Sequence, residues 1–318
     1  MTDTTFSTLN IVCLAGGVGG AKLADGLAQL VAPERLTIIV NTGDDFIHWG
    51  LTICPDLDTV LYTLGGAANV ETGWGRAGES WRVLEEAARL GGPDWFRLGD
   101  LDLALHLTRS HLLREGHSLT AVTHHLCQKF NIQAELLPMS DQPAPTMIET
   151  ADGLLPFQTW FVKEKWQPVV KKVHLPADVR ATPRVMQKLE TADLILIAPS
   201  NPFVSIDPIL NVYPIREMVA DLPQAVIAVS PIVGGQAVKG PAAKLMHERG
   251  LPVTAQAVAD YYDDLLDGFV YDKQDPPHSI ASDGLATLRL DTMMHNAADR
   301  QRVAEEVLSF AETVIRDQ

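Results

Sequence analysis

Positive charge is what this chain is short of: 25 lysines and arginines stand against 40 aspartates and glutamates, a formal charge of −15. Binding a polyphosphate backbone needs clustered cationic side chains to release counterions, so a nucleic-acid partner is not expected. Cysteine is equally scarce. Cys13, Cys54 and Cys127 are too few and too scattered for a disulfide framework or a zinc motif, and a reducing cytoplasm suits them. No apolar run approaches the roughly 20 residues of a membrane span. The opening "MTDTTFSTLN" has no basic segment of the kind that starts a secretory signal. The expectation is a cytoplasmic protein without membrane contact. Internal repeats, low-complexity tracts and long linkers are also missing, and the ten histidines show no HExxH or comparable ligand spacing. What is present, 46% hydrophobic and 20% charged residues over 318 positions, can bury a substantial core in one large α/β unit or two smaller ones.

Four short Ile-, Val- and Leu-rich runs have the pattern of buried parallel strands: "NIVCLA" (10–15), "LTIIV" (36–40), "LILIA" (194–198) and "AVIAV" (225–229). Polar loops follow them, "GGVGGAK", "NTGDD", "PSNP" and "SPIVGG", with helical patterns next at 21–31, 207–220 and 240–250. Loops leaving the carboxyl ends of parallel strands converge on one edge of a sheet, so these four are expected to share a ligand cleft. Residues 1–125 and 190–318 form this α/β core. Between them, 126–189 has a different rhythm, including "TMIET" and "LLPFQTWFV" around the turn "ADG", and is expected to be a β-rich insertion or subdomain. Thr182 and Pro183 then suit the start of a helix, and the apolar spacing of 298–316 predicts a helix with one packed face.

The stretch "NTGDDFIHWGLTICPDLDTVLYTL" (41–64) gathers Asp44, Asp45, Asp56 and Asp58, whose mutual repulsion calls for an explanation. Leu57, Val60, Leu61 and Leu64 recur at i, i+3, i+4 and i+7, so Asp56 can cap a helix with Asp58 in its first turn. Capping accounts for one acid and leaves the Asp44/Asp45 pair over. Carboxylates from two loops beside a strand-end cleft suit Mg²⁺, which takes one or two carboxylates and completes its shell with water and substrate phosphates. Gly16, Gly17, Gly19 and Gly20, with Lys22, make either a phosphate cradle at a helix N-terminus or a plain strand-to-helix turn. The run matches neither GxGxxG nor the P-loop. Gly234, Gly235 and Lys239 offer a second phosphate or base contact or a tight connection, and Ser200 and Asn201 can touch a nucleotide or simply turn the chain. In "RLGDLDLALHLTR" (97–109), Asp102 and His106 lie four apart on one helix face. Trp74, Trp81 and Trp95 are core or interface residues, or stack on a flat heterocycle.

The blocks "GGVGGAKL", "CPDLDTVLYTLGG", "PDWFRLGD", "LLPMSD", "APSNPFVSIDPIL" and "SPIVGGQAVKGPAAKLM" together resemble the 2-phospho-L-lactate transferase family of deazaflavin coenzyme biosynthesis, from about residue 10 past residue 290. The resemblance implies a Rossmann-like α/β fold, a homodimer and a Mg²⁺-dependent reaction. In it, the ribityl hydroxyl of a deazaflavin precursor attacks the phosphoryl group of a guanylated phospho-acid and GMP leaves. It puts precursor contacts on Asp58 and Arg97 with His106 beside them, the metal on Asp44, Asp45, Asp56 and Asp58, and guanosine diphosphate on the glycine loops and the Ser200-Asn201 turn. Asp58 and Asp45 are the catalytic candidates, Asp58 first as the group that orients or deprotonates the hydroxyl. Leu101 and Leu105 stand where the family pattern has arginine and threonine. The rival readings are a non-catalytic nucleotide-binding regulator of the related gluconeogenesis-factor type and, from "LAGGVGG" alone, a sugar-nucleotide pyrophosphorylase-like enzyme.

Overall fold

The computed structural model describes residues 8–70, 74–282 and 284–317. The start of the opening decapeptide, and Glu71 to Gly73 of the Gly-rich run before Trp74, lie outside the described residues. In chain order the strands are β1 (Ile11–Ala15), β2 (Leu36–Val40), β3 (Phe46–His48), β4 (Leu51–Ile53), β5 (Glu135–Pro138), β6 (Met147–Thr150) and β7 (Gly153–Pro156). There follow β8 (Lys172–His174), β9 (Leu194–Ile197), β10 (Ala225–Val229), β11 (Ile232–Val233), β12 (Gln236–Ala237), β13 (Gly268–Asp272) and β14 (Ala286–Leu290). Seven of them form one sheet in the order β14-β13-β10-β9-β1-β2-β5, every neighbouring pair parallel.

The four apolar runs are the four central strands of that sheet, buried along their whole length. Alternate side chains face opposite layers, as strand pleating requires. Cys13, Ile38, Leu196 and Ile227 pack with helix α1 (Gly17–Ala28), helix α2 (Pro55–Leu64) and the C-terminal helix Ala297–Asp317. Val12, Leu14, Ile39 and Ile195 pack with the opposite layer, which includes Val185, Val219 and Val258. Truncating a fully buried leucine such as Leu27 or Leu308 would cost about 2–5 kcal/mol. The C-terminal helix buries Val303, Val307, Leu308, Ala311 and Val314 on one face.

The chain runs outward from β1 through β2 to β5, then crosses back to begin the other half at β9. Between β1 and β9 the strand order reverses, and ligands of open α/β sheets bind at such a point. Residues 126–189 divide differently from the expectation. A helix, Leu119–Lys129, straddles their start, β5 joins the main sheet beside β2, and Pro183–Glu190 belongs to the helical layer. The antiparallel β7-β6-β8 sheet is confined to 147–174. The reason lies in "ELLP", whose last three residues are fully buried and pair in parallel with Ile38, Ile39 and Val40. Thr182 does cap its helix, its hydroxyl accepting from Val185 N at 3.2 Å.

Candidate active site

A cleft of about 830 Å³ lies over the carboxyl ends of β1, β2, β9 and β10, lined by residues of the four polar loops together with Thr292–His295, Trp95–Arg97, Phe157, Gln158, Phe161 and Val162. Helix α1 begins at Gly17, whose φ of +62° is a left-handed conformation that favours glycine. A Cβ on Gly16 would come within 2.7 Å of both Asp56 Oδ2 and Ser205 Cβ, and one on Gly19 within 2.3 Å of the Pro199 carbonyl oxygen. These glycines therefore let the loops after β1 and β9 and the start of α2 close on one another. Ser200 completes the clasp: its Oγ accepts from Gly16 N at 3.1 Å and donates to Gly16 O at 2.8 Å.

Gly16, Gly17, Gly19, Lys22, Ser200, Asn201 and Lys239 line the cleft. Asn201 uses its Oδ1 to accept from Phe203 N at 3.0 Å, while its Nδ2 is buried without a partner. Lys22 donates to the Met294 carbonyl at 2.6 Å, and burial followed by the Arg300 and Lys239 charges lowers its pKa. Gly20 is turned away and packs against Ser200 Oγ and Ala15. Gly234 and Gly235 also lie off the cleft. Both have positive φ in the tight β11–β12 connection, where their N–H groups bond the Asp275 carboxylate.

Of the four aspartates, Asp44, Asp56 and Asp58 line the cleft and Asp45 does not. The turn closed by Asp45 N donating to Thr42 O at 3.2 Å sends the two neighbours to opposite sides, so Asp45 meets the buried Cys54 thiol. Asp56 is not the cap of α2. Cys54 holds that position, because Pro55 fits the first turn, and both acids fall inside the helix. Asp56 accepts from Asn41 Nδ2 at 2.9 Å and from Gly17 N–H. Asp44 accepts from Gln158 Nε2 at 2.9 Å, and its Oδ1 is buried with no partner. Burial pushes the Asp56 carboxyl up to about 6. Burial, then the Asp56 and Asp45 charges, pushes Asp44 well above the usual range.

Asp58 has a different environment, built by helix α3 (Arg82–Arg89) leading into helix α4 (Asp100–Arg114). Arg109 of α4, only 2% exposed, binds it with both arms: Nη1 donates to Oδ2 at 3.0 Å and Nη2 to Oδ1. His106 Nδ1 lies 3.2 Å from Arg109 Nη1 and 3.7 Å from Asp58 Oδ2, and its Nε2 faces Asp102 Oδ1 at 3.3 Å without the alignment of a hydrogen bond. Tyr62 closes the chain by donating to Asp102 Oδ1 at 2.5 Å. Burial opposes ionisation of Asp102, but the His106 ring, Tyr62 and the Arg109 charge outweigh it and hold the carboxyl below its usual range. Arg109 was missed by sequence reasoning. Its signal is the spacing of Asp102, His106 and Arg109, a polar stripe at i, i+4 and i+7 on a helix that also carries apolar Leu105.

Arg97 sits at the rim with its guanidinium 4.6 Å above the Trp81 ring. It joins the cleft to an annex of about 310 Å³ lined by Trp74, Arg76, Glu79 and Trp81. Aromatic walls of this kind accept a flat ring. Leu105 is 5% exposed within the core and Leu101 is 40% exposed; neither lines the cleft.

The donors present fit a hard divalent cation. Asp44 has an orphaned buried oxygen, and among the described residues neither Asp44 nor Asp56 forms an ion pair, whereas Asp58 is neutralised by Arg109. No group of three or more His, Cys, Asp or Glu side chains forms a complete metal set among the described residues. Two carboxylates with water and substrate oxygens complete the shell Mg²⁺ prefers.

The sheet order and this cleft define a Rossmann-like α/β protein with a strand-end site suited to an anionic ligand. The family model for 2-phospho-L-lactate transferase CofD matches residues 11–313. This chain is 42% identical to a phosphoenolpyruvate transferase of Kitasatospora aureofaciens (96% of this chain, 99% of that one) and 39% identical to a 2-phospho-L-lactate transferase of Methanosarcina mazei (94% and 99%). In fold it resembles a UPF0052-family protein of Bacillus halodurans, with a TM-score of 0.61 at 18% identity over 94% of this chain and 98% of that one. The chain belongs to the 2-phospho-L-lactate transferase CofD family.

Proposed function

We propose that this protein moves a phospho-acid from its guanosine diphosphate adduct to the ribityl hydroxyl of 7,8-didemethyl-8-hydroxy-5-deazariboflavin, releasing GMP, in a Mg²⁺-dependent step of coenzyme F420 biosynthesis. Family membership and the transferase names of the relatives support the reaction class. The observation that supports the assignment to this cleft is the meeting of a glycine turn, two acids without a cationic partner among the described residues and an arginine-held third acid at the switch point of the sheet. The regulator reading has no such support, since the likeness to the UPF0052 protein is one of fold alone.

Phosphoryl transfer asks a protein mainly for positioning and charge neutralisation. The hydroxyl oxygen bonds to the phosphorus that carries the acid, the bond from that phosphorus to the GMP oxygen breaks with its electron pair leaving on GMP, and the hydroxyl proton passes by way of Asp58 to solvent. Lys22, Lys239 and the Asn201 amide face the cleft where the diphosphate of the donor would lie. Asp58 accepts the hydrogen bond of the attacking hydroxyl, with Arg97 and the tryptophans at the rim receiving the ring. Asp44 and Asp56 are the residues that would hold Mg²⁺, which when bound supplies charge neutralisation for the diphosphate. The same reading carries a homodimer in the cytoplasm, for which light scattering of the purified protein and fractionation of its host cells are the tests.

The test of function is mass spectrometry after incubation with Mg²⁺, the deazaflavin precursor and guanylated phospholactate, phosphoenolpyruvate or 3-phosphoglycerate in turn. The expected result is an adduct of precursor and phospho-acid with equimolar GMP from at least one donor. No product from any of the three, in folded protein that binds GDP, would overturn the assignment.

A further inference from the structure

We infer that Arg109 is a positioning residue for the transfer: it holds Asp58 as a fixed acceptor for the attacking hydroxyl and keeps that carboxylate out of the cation-binding set. This rests on the function proposed above and divides the labour among its acids. Asp58 alone of the four aspartates forms an ion pair with a described cationic side chain. Both of its oxygens are engaged by one guanidinium, which fixes the plane of the carboxylate as well as its charge. Each oxygen keeps a further lone pair, and Asp58 still lines the cleft, so a substrate hydroxyl can be accepted there without displacing Arg109. Arg109 is itself braced, packed in α4 with His106 against its Nη1 and, behind that ring, Asp102 tied to Tyr62.

A cationic fork at this place has a second effect. Asp56 and Asp58 both belong to the first turn of α2 and both line the cleft. The guanidinium bound to Asp58 repels a cation from that oxygen pair, leaving Asp44 and Asp56, which among the described residues have amide and backbone partners only.

Two variants and one binding measurement test this. Arg109→Lys retains the charge and loses the fork; Arg109→Gln loses both. Turnover is measured with the donor that works best, and Mg²⁺ binding by titration calorimetry in the presence of GDP, which needs no turnover. Arg109→Lys is expected to lower kcat by about 100-fold, the scale of a misplaced reacting group, with KM for the guanylated donor unchanged and the folded protein intact by thermal melting. Arg109→Gln is expected to lower kcat further yet tighten Mg²⁺ binding severalfold, as Asp58 becomes free to join the cation. A merely structural arginine would lower kcat and Mg²⁺ affinity together, whatever loss of melting temperature breaking the buried pair brings. For a variant that does not fold, Asp58→Asn in the wild-type background carries the same question: Mg²⁺ affinity is expected to fall less than it does in Asp56→Asn. Wild-type kcat in Arg109→Lys, or a loss of Mg²⁺ binding in Asp58→Asn equal to that in Asp56→Asn, would overturn the inference. An inactive wild-type protein would instead sink the proposed function, leaving the Mg²⁺ comparison to stand or fall by itself.

Discussion

Asp44 and Asp56 are buried with amide and backbone partners, whereas Asp58, two residues further along the same helix as Asp56, is gripped by both arms of Arg109. The consequences run in opposite directions. Without a cation, burial raises the pKa values of the first two, an unfavourable state that a ligand can relieve. At Asp58 the charge is already matched from within, at the cost of burying an arginine. On the function proposed above, the first pair would be the one to take up a cation, whereas Asp58 already has its counter-charge from Arg109.

The largest effect that separates them is on turnover. Asp58→Asn should lower kcat by about 10²–10⁴-fold, the range for a group that assists proton transfer, and initial rates at saturating substrates measure it. Near-normal activity would erase the distinction. Next comes stability: the same substitution strands Arg109, and breaking a buried pair costs about 3–5 kcal/mol. Chemical denaturation should show this loss, and the double variant Asp58→Asn/Arg109→Met should recover most of it without recovering turnover.

A smaller effect is pH dependence. The folded pKa of Asp56, about 6, is raised above its unfolded value, so the folded state binds more protons between the two. Stability of the cation-free protein is therefore lost as pH rises from about 4 through 6, by at most about 3 kcal/mol from this group. Asp44 contributes with the same sign. Melting temperatures in chelator should fall from pH 5 to pH 8, and Mg²⁺ with GDP should narrow the gap; a rise with pH in chelator would contradict the account. The smallest effect is outside the cleft, where Leu101→Arg, at an exposed position, should shift stability by no more than about 0.5 kcal/mol, as chemical denaturation would measure.

Much of this arrangement was legible from residues alone. The four central strands read as apolar runs because both faces of a parallel sheet are buried. The outer strands were harder: β14 alternates half-buried and exposed residues until its last, β13 begins at a glycine, and β5 sits inside a stretch of antiparallel rhythm. The aspartates stood out through repulsion that local structure could not explain. Their sorting did not, because it depends on a turn that directs Asp44 and Asp45 apart and on a proline that moves the start of α2. The glycines were visible as a motif, yet Gly20, Gly234 and Gly235 serve packing and a tight turn away from the cleft.

By itself the sequence determined the α/β class, the sheet centre, the strand-end loops and the family, since these follow from local periodicity and from motifs contiguous in the chain. Only the tertiary structure decided that Arg109 meets Asp58 across 51 positions and that Gln158 meets Asp44 across 114. Partnerships of that reach are set by how helices and insertion pack over the sheet, and packing geometry leaves no mark in the spacing of residues along one segment.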